Sequence, residues 1–286
     1  MIDLHTHTTI SDGTLTPKEL MLEAKKAGVS AIAITDHDTI AGLGEAQQEA
    51  DKLGVNLING IEFSTAFGKN RLLHILGLGI DPQSEGFLRV YNKYRQERSD
   101  LLTKVFEKLR SMGVEIERKD AEPFICGGLM DRQAIAKCLV HKGYTKNVKE
   151  SWINFLDKVD YFEGELIKPA DAFKAIHDGG GKAFLAHYHL NIGLKGYSDE
   201  EARSYLKQLK EFGLDGMECY YPSFTEEDKQ RCLAYVDEFD FIKSGGSDFH
   251  GATRAHVKIG VGSGDLNVPD ELLEPICPEL LELISK

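Results

Sequence analysis

The sequence predicts a barrel-like α/β domain interrupted by a helical insertion, and three observations carry that expectation. Over residues 1–82, short apolar runs alternate with helical patterns, as in βαβ units around a parallel sheet. From about Asp81 the texture changes, and between 83 and 166 the apolar spacing is helical with no strand pattern. The alternation then resumes after Pro169. These bounds assign 1–82 and 167–286 to one discontinuous domain, with 83–166 as an inserted helical subdomain.

Taken in order, residues 1–7 read as a strand. Thr16-Pro17-Lys18-Glu19 supplies an N-cap, a proline at the first helical position and a capping-box acid, and Gly28 stops the helix that follows. Residues 30–35 form a continuous apolar strand. A second helix runs to about Leu53 with Gly54 as its stop, and 55–58 and 72–78 read as further strands. In the insertion, 87–112 has helical periodicity, Asp131 caps a helix ending near Gly143, and 147–156 reads as another helix. Beyond it come a helix from Pro169 to about His177 and a break at Gly179-Gly180-Gly181, then a strand at 182–187. A capped helix from Ser198 to Gly213 follows, then a strand at 216–220, a helix from Thr225 and a strand at 241–244. The acidic stretch 270–286 reads as an amphipathic terminal helix closing the core.

The 286 residues carry a net charge of −12. That charge argues against broad binding to duplex nucleic acid, which draws on clustered Lys and Arg. A single nucleotide or the end of a short strand stays open as a ligand if metals supply positive charge locally. No apolar run approaches the ~20 residues that span a bilayer, and the N-terminus lacks the pattern of a signal peptide, so the expected location is cytoplasmic. Neither a membrane association nor a protein partner is indicated. The five cysteines form no CxxC pair and read as small buried hydrophobes.

The histidines fall at the predicted strand ends. His5 and His7 end the first strand, His37 the second, and Glu62 follows the third. His74 lies on the fourth, His187 ends the strand after the insertion, and Asp248 and His250 follow the last. In a (β/α) barrel the strand ends share one rim, so residues scattered along the chain meet there. His5 and His7 are spaced i, i+2 on an extended segment, which turns both imidazoles to one face and suits a shared metal. Taken alone, such a pair also fits a solvated strand edge. Asp248-Phe249-His250 repeats the spacing with a carboxylate.

Asp36-His37-Asp38 sets an imidazole between two acids, so that an acid orients the ring or ligates directly; a helix-capping loop is the bland alternative. Gly60-Ile61-Glu62 allows a carboxylate to bridge two ions, and Asp12-Gly13 is either a ligand or a plain turn. Three divalent ions would carry +6, and Asp12, Glu62 and Asp248 would remove 3, leaving about +3 for a phosphate dianion and a hydroxide to cancel. Such a centre generates a nucleophile from water near neutral pH and clamps phosphoryl oxygens, so the expected reaction is hydrolysis of a phosphate ester. His187, His189 and Asp36 are the catalytic candidates. His189 is ambiguous between facing substrate, protonating the leaving group and neither. His141, His177 and His256 read as structural or surface residues.

Asp3-Leu4-His5-Thr6-His7-Thr8, Ser11-Asp12-Gly13, Ile34-Thr35-Asp36-His37-Asp38, Gly60-Ile61-Glu62 and Gly246-Ser247-Asp248-Phe249-His250 together resemble the motifs of the PHP (polymerase and histidinol phosphatase) superfamily. The resemblance implies a distorted (β/α)7 barrel with a trinuclear Mn, Fe or Zn centre. Carried over by position, it implies a first metal on His5, His7, Glu62 and Asp248, a second on Asp12, His37 and His250, and a third on Glu62, His74 and His187.

The Ser11-Asp12-Gly13 motif and the insertion look most like the branch of nucleoside 3',5'-bisphosphate phosphatases and 5'-3' exoribonucleases acting on short RNA. In that branch the insertion helps cover the site and offers phosphate an arginine, and Arg132 is the matching residue. The chain departs from the family at Ala186-His187-Tyr188-His189, where His-Pro is common, and after Arg132, where a Pro is common; both departures bear on the substrate pocket. Two other readings are carried: histidinol-phosphate phosphatase, whose members often have His in place of Asp12, and a noncatalytic metal-binding PHP domain.

Overall fold

The computed structural model describes residues 1–66 and 72–285. Seven strands make one sheet whose spatial order follows the chain: β1 (Ile2–Asp3), β2 (Ala31–Ile34), β3 (Asn56–Ala66), β4 (Leu72–Leu78), β5 (Lys182–Leu185), β6 (Gly216–Tyr220) and β7 (Ile242–Gly245). The segments after β1 and β7 bring the two edges together. Leu4 N–H donates to Gly245 O at 3.1 Å, and Thr6 bridges Phe249 in the parallel sense. The result is a distorted (β/α)7 barrel.

The sheet departs from the expected all-parallel pattern at β4, which pairs antiparallel with both β3 and β5. The cause is local: only five residues separate β3 from β4, far short of the dozen or more a parallel crossover needs. β3 is also longer than expected and runs through Gly60-Ile61-Glu62 to Ala66.

The helices begin and end where their caps place them. α1 (Pro17–Ala27) has the full Thr16/Glu19 capping box and a left-handed Gly28 at its end, and α2 (Leu43–Leu53) ends on left-handed Gly54. α3 (Glu85–Ser111) leads into α4 (Arg118–Ala121), α5 (Arg132–His141), capped by Asp131, and α6 (Val148–Asn154), capped by Asn147. α7 (Pro169–Asp178) starts on proline. α8 (Asp199–Phe212) and α9 (Glu226–Phe239) have capping boxes from Ser198/Glu201 and Thr225/Asp228. The expected terminal helix is instead a short 3-10 turn, Asp270–Leu273, followed by α10 (Pro278–Ile284). Pro275 and Pro278 interrupt the helical hydrogen bonding between them. Leu273 and Ile276 still pack into the barrel core with Ile2, Leu4, Leu76 and Phe184. Lys286 lies outside the described residues.

The chain divides into two compact units, one of residues 1–90 and 168–286, the other of residues 91–167. The second unit has its own apolar core, including Leu102, Leu109, Ile135, Leu139 and Leu156. Three of the five cysteines are buried as expected, but Cys126 is exposed and Cys277 partly so. Among the described residues no helix is long and apolar enough to cross a membrane.

Candidate metal centre

Nine side chains meet at one rim of the barrel: His5, His7, Asp12, His37, Glu62, His74, His187, Asp248 and His250. They form four overlapping groups within which the ligand atoms lie no more than 4.8 Å apart. Most arrive from the C-terminal ends of parallel strands. His74 arrives differently, because β4 runs the other way and its third residue sits at the same rim, opposite Ser64 of β3. The extended backbone after β1 turns His5 and His7 to the same face, with their Nε2 atoms 3.1 Å apart.

Glu62, fully buried, is the hub. Its Oε1 lies 3.0 Å from His74 Nδ1 and 3.0 Å from His187 Nε2. Its Oε2 lies 3.3 Å from His5 Nε2, 3.2 Å from His7 Nε2 and 3.2 Å from His37 Nδ1. Asp12 faces a second set, with Oδ1 at 3.3 Å from His250 Nε2 and 3.6 Å from His7 Nδ1, and Oδ2 at 3.8 Å from His37 Nε2. Asp248 Oδ1 lies 3.3 to 3.5 Å from nitrogens of His5, His7 and His250. His7 thus joins Asp12, His37 and His250 as well as His5 and Glu62. His187 also groups with His5 and Asp248.

The cluster fits divalent ions. His37 Nδ1, His74 Nδ1 and His250 Nε2 are buried and within 3.0 to 3.3 Å of a carboxylate oxygen, yet none has hydrogen-bonding alignment. Lone pairs that converge in this way leave buried polar atoms unsatisfied unless a cation sits among them. The electrostatics agree. Burial pushes the Glu62 carboxyl upward, but His37, His5 and His74 and the His187 hydrogen bond outweigh it and hold it well below the usual range. Asp248 is held low in the same way, against burial, by His5 and His250. Burial drives His37 down to about 4, whereas His7, also disfavoured by burial, is pushed up to about 10 by hydrogen bonds to Asp248 and Glu62. The backbone is strained where it delivers two of these groups, since His187 (φ 25°) and Asp248 (φ 52°) are left-handed.

Several carboxylates around the cluster hold it without facing it. Asp36 accepts from Thr8 N–H at 2.8 Å, Thr8 Oγ1 at 2.6 Å and Ser11 Oγ at 2.6 Å, fixing the loop that carries His7 and Asp12. Asp38 accepts from Ser64 N–H at 2.9 Å. The acids flanking His37 thus tie neighbouring backbone, Asp36 the loop at Thr8 and Ser11 and Asp38 strand β3, and both oxygens of Asp36 are engaged there. Asp3 does the same for the segment after β7, accepting from Ser247 N–H and Oγ and from Gly260 N–H.

Glu218 on β6, which sequence reasoning missed, is fully buried. It accepts from His5 Nδ1 at 3.0 Å through Oε1 and from His187 N–H at 2.8 Å through Oε2. Its only signal was an acid in the middle of an otherwise apolar predicted strand, with no histidine beside it. Also missed were Tyr221, whose hydroxyl donates to Asp248 Oδ2 at 2.6 Å, and Arg254, whose Nη1 donates to the same oxygen.

Arg132 departs from its expected part in phosphate binding. It is buried, and all five of its N–H donors are spent within its own unit. Nε and Nη2 donate to Glu165, Nη1 to Leu156 O and Val159 O, and Nη2 also to Asp160 O, while the guanidinium stacks over Tyr161. It ties the segment 156–165 to α5. His189 is half-buried, with Nε2 2.8 Å from Ser223 Oγ and its ring edge-on to Phe224 and Tyr221. Burial lowers it to about 4, so it is neutral at pH 7. It also lines a cavity of about 240 Å³ with Tyr188, Lys195 and Arg231. His177 pairs with Asp215 at 2.7 Å, away from the cluster.

A fold of this kind with this cluster defines a class, and comparison with known proteins gives the same one. The PHP domain model matches residues 3–217, and the chain belongs to that family. A 5'-3' exoribonuclease from Haemophilus influenzae is 34% identical over 87% of this chain and 89% of its own. A 3',5'-nucleoside bisphosphate phosphatase from Chromobacterium violaceum is 29% identical over 96% of this chain and 93% of its own. Among solved structures, a protein from Bifidobacterium adolescentis, described as a metal-dependent phosphoesterase, superposes with a TM-score of 0.81 at 26% identity, covering 100% of this chain and 98% of that one. The chain is a metal-dependent hydrolase of phosphoesters.

Proposed function

We propose that this phosphoesterase acts on small nucleotides, releasing phosphate from a nucleoside 3',5'-bisphosphate or cleaving at the 5' end of short RNA, at a centre of three divalent Mn, Fe or Zn ions. The observation that carries the reading is Glu62, whose two oxygens divide five imidazoles into two sets as a bridging carboxylate would. Glu62 would then hold the first and third ions, and Asp12, His37 and His250 the second. The relatives' activities favour nucleotide substrates over histidinol phosphate, as does the acid at Asp12. Divalent ions held there would supply Lewis-acid charge and activate water near neutral pH.

The chain's own residues supply the rest. Glu218 holds His5 and His187 in place, Asp36 holds the Asp12 loop, and burial keeps bulk water from Glu62 and Asp248. His189, neutral and beside the His187 loop, contacts the leaving group or its base.

The test is a substrate profile. Mn-loaded protein is assayed against a 3',5'-bisphosphate, a short 5'-phosphorylated RNA, a nucleoside monophosphate, histidinol phosphate and a generic aryl phosphate, with His7→Ala as control. The proposal expects the highest kcat/KM for the first or second. Preference for histidinol phosphate overturns the substrate assignment, and no turnover above the control on any of them overturns the catalytic reading.

A further inference from the structure

We infer that Arg254 is the residue that grips the substrate's phosphoryl oxygens, taking the part that sequence reasoning gave to Arg132; the inference rests on the phosphoesterase reading. Arg254 ends the short 3-10 turn Gly251–Arg254, directly after the ligand His250. Its Nη1 donates to Asp248 Oδ2 and, at 3.4 Å, to Asp248 O. Among the described residues it is the one Lys or Arg paired with a carboxylate of the cluster, and its side chain is 39% exposed. Its Nε and Nη2 meet no protein acceptor among the described residues.

Two features argue against a purely structural part. First, Asp248 Oδ2 is already held by the Tyr221 hydroxyl at 2.6 Å, so the carboxylate is oriented without the arginine. Second, Asp248 presents Oδ1 to His5, His7 and His250, so a guanidinium on Oδ2 stands one carboxylate width from the centre. Once divalent ions draw on Asp248, the net charge beside Arg254 is positive, and only an anion bound across both offsets the repulsion. A phosphate offers that anion. Two of its non-bridging oxygens match the planar fork of Nε and Nη2, a geometry that an ammonium cannot reproduce. Arg132 is unable to serve, because its five donors are committed.

The test compares wild type, Arg254→Met and Arg254→Lys, each loaded with Mn and checked for metal content. Inorganic phosphate is the probe, titrated by calorimetry, and kcat/KM is measured on an aryl phosphate. Loss of a charge-assisted contact predicts that Arg254→Met binds phosphate about 10- to 100-fold more weakly, with a similar fall in kcat/KM and unchanged metal content. Arg254→Lys should regain only part of the phosphate affinity. Wild-type phosphate affinity in Arg254→Met overturns the inference. So does a loss of metal that accounts for the loss of phosphate binding, which would make Arg254 a positioning residue acting through Asp248. A wild-type protein that binds phosphate through Arg254 yet hydrolyses no ester defeats the catalytic reading while leaving this one standing.

Discussion

Replacing Glu218 by Gln should lower metal affinity and activity by about 10- to 100-fold without unfolding the barrel. The magnitude follows from two contacts. His5 turns Nε2 toward His7 and Glu62, so the proton in the metal-holding form sits on Nδ1, which donates to Glu218 Oε1 at 3.0 Å. Glu218 Oε2 accepts the backbone N–H of His187 at 2.8 Å. Both neighbours are donors, and both need an acceptor. An amide of the same size offers one oxygen and one NH2, so one contact is lost whichever way it lies. A hydrogen bond to a charged acceptor is worth about 1.5–3 kcal/mol, a factor of about 10 to 150. Substituting a carboxylate that orients a metal-binding histidine has an effect of about 10- to 100-fold. Metal content after dialysis against graded chelator, together with kcat/KM on an aryl phosphate, measures it. If Glu218→Gln keeps wild-type metal affinity and stays within about twofold in kcat/KM, His5 and His187 are not positioned by Glu218, and the argument from their hydrogen bonds is wrong.

Three further outcomes are expected. Glu62→Ala should lose two ions per chain by elemental analysis, whereas His5→Ala chiefly weakens one; equal losses would contradict a bridging Glu62. Gly246→Ala should destabilise the protein by about 1–3 kcal/mol in chemical denaturation, because the added Cβ would lie 2.4 Å from His5 N and 2.5 Å from His5 Cβ. An unchanged midpoint would show that the strand end yields at no cost. Arg132→Met strands Glu165 without its partner in a buried site, so denaturation should show a loss of about 3–5 kcal/mol. Its phosphate affinity, measured by calorimetry on folded metal-loaded protein, should match wild type; a fall would restore Arg132 to the substrate.

Most of the barrel was legible because its strands are short apolar runs set off by capped helices, and caps such as Thr16-Pro17-Lys18-Glu19 are local chemistry. What escaped was set by spacing and geometry rather than by composition. The short link after β3 reversed β4, and the apolar run of β4 reads the same in either direction. The amphipathic pattern of 270–286 predicts one helix, but Pro275 and Pro278 break its hydrogen bonding without breaking that pattern. Arg132 misled for a similar reason: a motif position names a residue type, while its function depends on whether its donors are already spent. Glu165, which spends two of them, lies 33 residues away in sequence.

The same distinction runs through the metal centre. Each histidine motif mixes ligand candidates with loop ties, and residue type does not separate them. In Asp3-Leu4-His5-Thr6-His7 the aspartate holds Ser247 and Gly260, and in Asp36-His37-Asp38 one acid binds the loop at Thr8 and the other strand β3, while the imidazole between them faces Glu62. These ties supply the bonds that keep costly backbone in place, since Asp38, His187 and Asp248 all sit at positive φ. A rim built in this way behaves as one object. Asp36→Ala removes the acceptor that Thr8 and Ser11 share and should therefore weaken binding at the ion held by Asp12 before it weakens the Glu62 pair. Graded chelation of that variant, followed ion by ion, discriminates a tie from a ligand: loss of all ions in parallel would mean that Asp36 does not act through its loop alone.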